Sequence, residues 1–306
     1  MAEGTAALSE MELTPLPLEE WEETKETLHR YAQIVGKVRM ELSPPMNHWW
    51  HVTLYVTPQG LSTGPIPHAS GTFVISFDLL ENRLEVKTSE ESKFSFELDD
   101  LPVADFYASL IGGLKSLGIE VSINTKAFDL DDDQTLDANT YHCVCSRPHV
   151  RRYHQVLVWV DQVFKEYAGR FNGKQSPVHL YWHSFDLAVA RFSGRRAQLP
   201  DDVDHLTREA YSHEAISCGF WVGDENVREP AFYSYTAPEP EGLTDQPLSV
   251  DEASWQEGGT ALLTYEAVRN SESPKDTLLE FIQSAYQAGA RTAGWDAEDF
   301  SARSAT

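Results

Sequence analysis

Helical and strand-like patterns follow one another along this chain in an order that occurs twice. From Pro17, apolar residues recur at helical spacing until Ser43-Pro44-Pro45 ends the pattern, and strand-like alternation then continues to Leu98. A second helical stripe begins at Val103 and ends before Gly118. Strands that follow one another between helices are typical of antiparallel sheets, so this part of the chain predicts an α+β fold.

The second part of the chain repeats this order. A helical stripe precedes Ser176-Pro177, and a strand rich in histidine and aromatic residues, a turn-rich loop, further strands and a closing helix follow. We therefore predict two similar halves, each with a helix, about four mostly antiparallel strands and a helix, packed as one pseudo-symmetric unit. The predicted segments are a mobile acidic tail at 1–16, a first half at 17–128, an acidic irregular linker at 129–145, a second half at 146–296 and a tail at 297–306.

Segments that combine histidine with tryptophan or tyrosine open the strand region of each half. Their aromatic and β-branched neighbours predict strands at about 48–57 and 178–190. On a strand, His179 and His183 lie about 13 Å apart, which is too far for two ligands of one metal ion. His48 and His51 would point to opposite faces. We therefore assign no metal ligands.

Composition and charge exclude several classes of partner. The chain has 48 acidic and 24 basic residues, a formal net charge of −24, which opposes binding to nucleic-acid phosphates or anionic lipid. It has no long apolar run, no signal-like first segment and three cysteines, so we expect a soluble, cytoplasmic protein. Neither a Gly-x-Gly-x-x-Gly motif nor a phosphate loop is present, and the cofactor and the oligomeric state stay open.

Several long motifs carry a resemblance to a known family, and it covers most of the chain, from about 20 to 296. The motifs that carry it are Asn47-His48-Trp49-Trp50-His51-Val52, Ser184-Phe185-Asp186-Leu187-Ala188, Arg191-Phe192-Ser193-Gly194-Arg195 and Arg208-Glu209-Ala210-Tyr211-Ser212-His213-Glu214. With these motifs the chain resembles the uncharacterised family called domain of unknown function 5996, which implies soluble proteins without an assigned activity.

The second histidine-rich strand has polar groups on both faces, which is unusual for a buried strand because unpaired buried polar groups are costly. We predict that its partners come from the following arginine-rich loop and from His213-Glu214. In this hypothesis His179 or His213 acts as acid or base, Glu214 orients it, and Arg191 or Arg195 holds an anionic group. The predicted catalytic residues are His179, His213 and Glu214, and the predicted ligand-binding residues are His48, Trp50, Tyr181, Asp186, Arg191, Arg195 and Glu209.

The predicted function is a small-molecule enzyme with hydrolytic or acid–base chemistry in an aromatic-lined pocket. A non-catalytic ligand-binding or scaffold protein that uses the same cavity is the alternative. A metal-dependent oxygenase is a further alternative, which requires histidines from separate strands to meet. A polar network that only fixes the core would explain the same residues.

Overall fold

A computed structural model of the protein describes residues 13–130, 132–140 and 143–295. The predicted tail at 297–306 and most of the predicted tail at 1–16 lie outside the described residues. The chain divides into two compact units that are not continuous in sequence. Of the described residues, unit I comprises those between 19 and 158 and those at 179–185, and unit II comprises 13–18, 159–178 and 186–295.

Helix α1 (Leu18–Leu42) provides the long helix of unit I. Its first turn carries Glu19 and Glu20 and its last turn carries Arg39, which suits the helix dipole. A short 3-10 turn at Asn47–Trp49 follows. The predicted strand at about 48–57 is therefore wrong over most of its length, and only Tyr55–Thr57 is extended in a strand.

Backbone angles explain why the first histidine-rich segment is a turn. His48 and Trp49 both have positive φ values, 58° and 59°, which no strand accommodates. The backbone N–H of Met46 donates to the His51 Nδ1 at 3.1 Å and closes the turn. This segment therefore forms a compact turn, although its side-chain types alternate as they would in a strand.

The sheet of unit I is antiparallel, with the strand order β1-β2-β4-β5-β6 and β3 paired with β4. Phe73, Ile75 and Phe77 alternate with more exposed residues along β4, and the ring of Phe77 stacks on Phe106 of helix α2. The bounds are β1 (Tyr55–Thr57), β2 (Gly60–Ser62), β3 (Ile66–His68), β4 (Gly71–Asp78), β5 (Arg83–Thr88), β6 (Lys93–Glu97) and α2 (Val103–Ser116).

The predicted strand at about 178–190 is two strands. Strand β7 (His179–Tyr181) belongs to unit I, where Leu180 and Leu54 exchange backbone hydrogen bonds of 2.7 and 2.8 Å. A turn that includes Phe185, with a φ of 56°, separates it in the chain from β8 (Asp186–Arg196). The arginines that we assigned to a loop after this strand therefore lie within β8.

The sheet of unit II is also antiparallel, with the order β11-β12-β10-β9-β8. Helix α6 packs closely on this sheet. A Cβ atom at Gly289 of α6 would lie only 2.1 Å from the Thr236 Oγ1 of β10, so glycine permits the close approach. The bounds are β9 (His213–Trp221), β10 (Ala231–Ala237), β11 (Ser254–Trp255), β12 (Ala261–Thr264), α3 (Arg147–Gly169), α4 (His205–Ala210), α5 (Tyr265–Arg269) and α6 (Pro274–Thr292).

Across the described ranges the protein is α+β, with six α-helices and two antiparallel sheets. This confirms the predicted fold class, and the pseudo-symmetric pairing of two similar halves stays a prediction. Within the same ranges, no helix combines the length and the apolar character needed to span a membrane.

Candidate functional site

Helix α1 buries an unusual number of polar side chains, and those in its middle have partners. The ring Nε2 of His29 lies 3.0 Å from the carbonyl oxygen of His183. One turn further on, the Gln33 side-chain amide exchanges hydrogen bonds of 2.8 Å with the backbone of Phe128. This part of the polar stripe is therefore satisfied within the fold.

Two cations near the end of α1 lie in a different environment. Lys37 and Arg39 are buried, with 4% and 8% of their surface exposed, and aromatic rings are their neighbours. The Arg39 guanidinium carbon lies 5.1 Å from the Tyr55 ring centroid, and the Lys37 Nζ lies 5.5 Å from the Trp182 ring centroid. The Tyr55 ring is 6.5 Å from the ring of His179. We call these five residues the basic cluster.

Strand pairing and Gly36 determine the positions of the aromatic residues in the basic cluster. Because Leu54 bridges Leu180, the next residue on β1, Tyr55, stands beside His179 of β7. On α1, a Cβ atom at Gly36 would lie only 2.1 Å from the Trp182 Cδ1. Glycine thus permits the indole to lie directly on the helix backbone, next to Lys37.

Four buried nitrogen atoms of the basic cluster have no hydrogen-bond partner in the described part of the chain: Nε and Nη1 of Arg39, Nδ1 of His179 and Nε1 of Trp182. The arginine and tryptophan nitrogens can only donate. Nor does Lys37 or Arg39 form an ion pair with any described residue. Such orphaned groups are rare in native proteins and call for an explanation.

Arg30, nine residues earlier on the same helix, shows how a buried arginine is ordinarily satisfied. Its Nη2 lies 2.6 Å from the Asp132 Oδ1 and its Nη1 lies 2.8 Å from the Glu26 Oε2. The contrast shows that the environment of Arg39 is specific to its position on α1.

Burial disfavours the protonated forms of His179 and Lys37 in the basic cluster. Burial, with a smaller effect from the positive charge of Arg39, lowers the pKa of His179 to about 3, so this imidazole is neutral at physiological pH. Burial also lowers the pKa of Lys37. An anion placed in the cluster would raise both pKa values, because it would stabilise the charged forms.

The arginines predicted to hold a ligand lie in unit II, and both bind helix ends. The Arg191 Nη2 donates to the Tyr167 carbonyl oxygen at 2.6 Å, near the end of α3, and its guanidinium stacks 3.4 Å from the ring centroid of the same tyrosine. The Arg195 Nη2 donates to the Ala293 carbonyl oxygen at 2.7 Å, just after α6. Each guanidinium therefore donates to a carbonyl oxygen at the C-terminal end of a helix.

The predicted acid–base residues of β9 are separated by the strand itself. His213 and Glu214 are consecutive, so their side chains project from opposite faces of the sheet. The Glu214 carboxylate accepts from Arg195 at 2.7 Å and from the Ser193 hydroxyl at 2.9 Å. Burial lowers the pKa of His213, and the acidic Glu209 on α4 partly opposes this. The predicted role of Glu214 in orienting His213 is not supported by this geometry.

Asp186 takes part in a polar network on the sheet of unit II. It accepts a hydrogen bond from the Tyr233 hydroxyl, and burial followed by the charge of Asp186 raises the pKa of that tyrosine. The Tyr211 and Tyr235 hydroxyls lie 3.1 Å apart. Gly219 makes room for the Tyr233 phenol, because a Cβ there would lie 2.3 Å from its ring.

The remaining predicted residues lie in unit I. Tyr181 lies edge-on to His179, with ring centroids 4.7 Å apart. His48 and Trp50 neighbour each other at the 3-10 turn, with ring centroids 5.4 Å apart. Sequence reasoning thus found His179 and Tyr181 but missed four members of the basic cluster. Those four are Lys37, Arg39, Tyr55 and Trp182.

Other features offer less for ligand binding. An apolar cavity in unit I, lined by Leu28 and Tyr153 among others, has a volume of about 10 Å³, no more than one water molecule requires. Among the residues that the structure describes, no three histidine, cysteine, aspartate or glutamate side chains lie together in a way that could hold a metal ion.

The fold and the site together define an α+β protein with two antiparallel sheets and a buried cationic cluster in one compact unit. The chain belongs to DUF5996, a family of unknown function, whose model matches residues 13–302. This confirms the resemblance carried by the sequence motifs. No curated protein and no solved structure matches the chain.

Proposed function

We propose that the protein binds a small anionic ligand at the basic cluster of unit I. The observation that carries this proposal is the set of four buried nitrogen atoms without partners on Arg39, His179 and Trp182. An unsatisfied buried donor costs about 1–3 kcal/mol, and more when it is charged. A ligand that supplies acceptor oxygens would recover this free energy on binding.

The chemistry of the cluster favours a carboxylate or phosphate group. A guanidinium can bind either through two parallel hydrogen bonds, and Tyr55 supports one of its faces. A neutral His179 can donate from its Nδ1 in one tautomer, and the Trp182 indole adds a further donor. Negative charge on the ligand offsets the positive charge of Arg39, which forms no ion pair with a described residue.

Non-catalytic binding was the alternative function in the sequence-based prediction, and the basic cluster now favours it. The enzyme with His179, His213 and Glu214 as catalytic residues stays a prediction. Anchoring of an anionic group by arginine, part of that hypothesis, is kept here, with Arg39 in place of Arg191 or Arg195.

Substitution of Arg39 by methionine tests the proposal. Inorganic phosphate or acetate should raise the unfolding temperature of the wild-type protein above that in chloride of equal ionic strength, because ligand binding stabilises the folded state. In Arg39→Met this stabilisation should disappear. The variant without ligand should be as stable as the wild type or more stable, because a buried charge without a partner has been removed.

Two further variants serve as controls. Arg147→Met removes an exposed arginine paired with Asp99 at 2.9 Å, and the response to phosphate and acetate should persist. Arg30→Met should lower stability, because it leaves the Asp132 carboxylate without its main partner. If neither anion stabilises the wild type, or if Arg39→Met responds as the wild type does, the proposal is wrong.

A further inference from the structure

We infer that the ligand of the basic cluster is a monocarboxylate, which binds Arg39 and accepts further hydrogen bonds from His179 and Trp182. This identification rests on the proposed function and narrows its ligand from carboxylates and phosphates to carboxylates with a single charge. Three observations support it: the positions of the buried nitrogen atoms without partners, the single charge among them, and the cost of a second charge.

The donors without partners on Arg39 and Trp182 border one face of helix α1. Gly36 and Arg39 are three residues apart, so they lie on the same face of the helix. A Cβ atom at Gly36 would lie 2.5 Å from the Trp182 Nε1, which places the indole N–H against that face. The Tyr55 ring centroid lies 5.1 Å from the Arg39 guanidinium carbon and 6.5 Å from the ring of His179. We therefore place one ligand against this face of α1.

In the described part of the chain, Arg39 supplies the one formal positive charge among the buried donors of the cluster that have no partner. Lys37 adds no second charge to this set, because its ammonium nitrogen is not one of those atoms. It also leaves the helix about 200° from Arg39, since each helical residue is rotated by about 100° from the one before. A ligand with one negative charge therefore matches the charge of Arg39.

His179 adds a donor to the cluster and no charge. It is 1% exposed, and the titratable or charged groups that face it are Arg39 of α1, Tyr55 of β1 and Tyr181 of its own strand. Burial and the positive charge of Arg39 lower its pKa to about 3, so the imidazole is neutral near pH 7.

A dianion would need a second positive charge, which His179 supplies only by taking up a proton. Near pH 7 the solution lies about four pH units above the pKa of this histidine, which is equivalent to a factor of about 10,000 in affinity. A dianion that leaves His179 neutral would instead bury a negative charge without a partner. A carboxylate avoids both costs, and its two oxygen atoms match two parallel N–H groups of a guanidinium.

Calorimetric titration of the full-length protein with acetate and with sulfate, at equal ionic strength, tests this inference. Acetate carries one negative charge and sulfate carries two. Near pH 7 we expect acetate to bind at least about tenfold more tightly than sulfate, because the second charge of sulfate has no partner. Between about pH 7 and pH 6 the affinity for sulfate should rise by up to about tenfold, because protonated His179 supplies the missing charge. The affinity for acetate should stay constant.

Variants assign these effects to residues. Arg39→Met should remove the binding of both anions. Arg147→Met, which removes an exposed arginine paired with Asp99 at 2.9 Å, should change neither affinity and serves as the matched control. In His179→Gln the affinity for sulfate should no longer depend on pH while acetate still binds, because glutamine keeps a donor and does not titrate.

The outcomes separate this inference from the proposed function. If sulfate binds as tightly as acetate near pH 7, or more tightly, the monocarboxylate is wrong and anion binding stands. If neither anion binds at millimolar concentrations, or if both still bind Arg39→Met, the proposed function and this inference are both overturned.

Discussion

His29 and His179 are both buried in unit I, but they differ in their hydrogen-bond partners. The ring of His29 has the carbonyl oxygen of His183 as a partner at 3.0 Å and stacks on Phe185. The Nδ1 of His179 has no partner in the described structure and lies near a positive charge. His29 is therefore a satisfied core residue, whereas His179 is a buried residue with one ring nitrogen that lacks a partner.

Stability should fall on mild acidification because both histidines stay neutral in the folded state. Burial lowers the pKa from 6.5 to about 4 for His29 and, together with Arg39, to about 3 for His179. Below about pH 6.5 the unfolded chain takes up protons that the folded chain does not, so the free energy of unfolding decreases as pH falls towards these values. Each histidine should contribute about 1.4 kcal/mol per pH unit.

Urea unfolding near neutral pH and at about pH 5 measures this dependence. In His179→Gln the decrease between the two pH values should be smaller than in the wild type, because one titrating group is lost. Saturating phosphate should have a similar effect, since a bound anion raises the pKa of His179. An unchanged decrease in His179→Gln would show that this histidine is not held neutral by the fold.

At the residue scale, sequence alone could not distinguish Arg39 from Arg30. Both are basic residues on a buried helix, and both fit a simple helix pattern. The difference arises because Asp132 comes from a distant part of the chain to pair with Arg30 and no described carboxylate reaches Arg39. From the sequence, Lys37 and Arg39 indicate only favourable charges near the C-terminal end of a helix.

At the scale of elements, the contact between α1 and the turn after β7 holds the basic cluster in place. A Cβ at Gly36 would overlap the Trp182 indole, with 2.1 Å to its nearest atom. We expect Gly36→Ala to destabilise the protein by about 1–3 kcal/mol, as overpacking does. It should also weaken anion binding, because displacement of the indole moves the neighbour of Lys37. Urea unfolding and titration with phosphate measure the two effects.

Gly112→Ala is the matched control for this change. Gly112 lies within α2, and no atom lies within 4 Å of the Cβ that alanine would add. Alanine is a better helix former than glycine by about 1 kcal/mol, so this variant should be more stable than the wild type. If Gly36→Ala is stabilised to the same extent, the close packing of Trp182 on α1 is not real.

Some elements could be predicted from sequence and others could not, for physical reasons. Helices α1, α2 and α6 carry apolar residues at regular helical spacing, which local pattern reveals. The turns at His48-Trp49 and at Phe185 depend on left-handed backbone conformations of residues other than glycine. Such conformations are uncommon, so alternation of aromatic and polar residues was interpreted as strand.

At the scale of the whole molecule, the net negative charge gives no indication of the positively charged basic cluster. The formal net charge of −24 predicts a protein without nucleic-acid or anionic-membrane partners, whereas the basic cluster places the side chains of Lys37 and Arg39 within one unit. Net charge describes a surface averaged over the chain, and it carries no information about a few buried residues.

Tertiary organisation was predictable only as a class. The order of patterns predicted α+β and mostly antiparallel sheets, which the structure has. It could not predict that residues 179–185 join unit I while the residues on either side of them join unit II. Local periodicity reports which face of an element is buried, and not the element against which it packs. The pseudo-symmetric pairing of two similar halves stays a prediction.

The central claim is that an anion binds among Lys37, Arg39 and His179, and the Trp182 indole N–H reports on it directly. The protein has eight tryptophans, and Trp182→Phe identifies the relevant signal in a nitrogen-15 correlation spectrum. On titration with phosphate, the Trp182 indole proton should move downfield and exchange more slowly with water, because it gains an acceptor. If that signal keeps its position and exchange rate at saturating phosphate, the anion does not bind in the basic cluster.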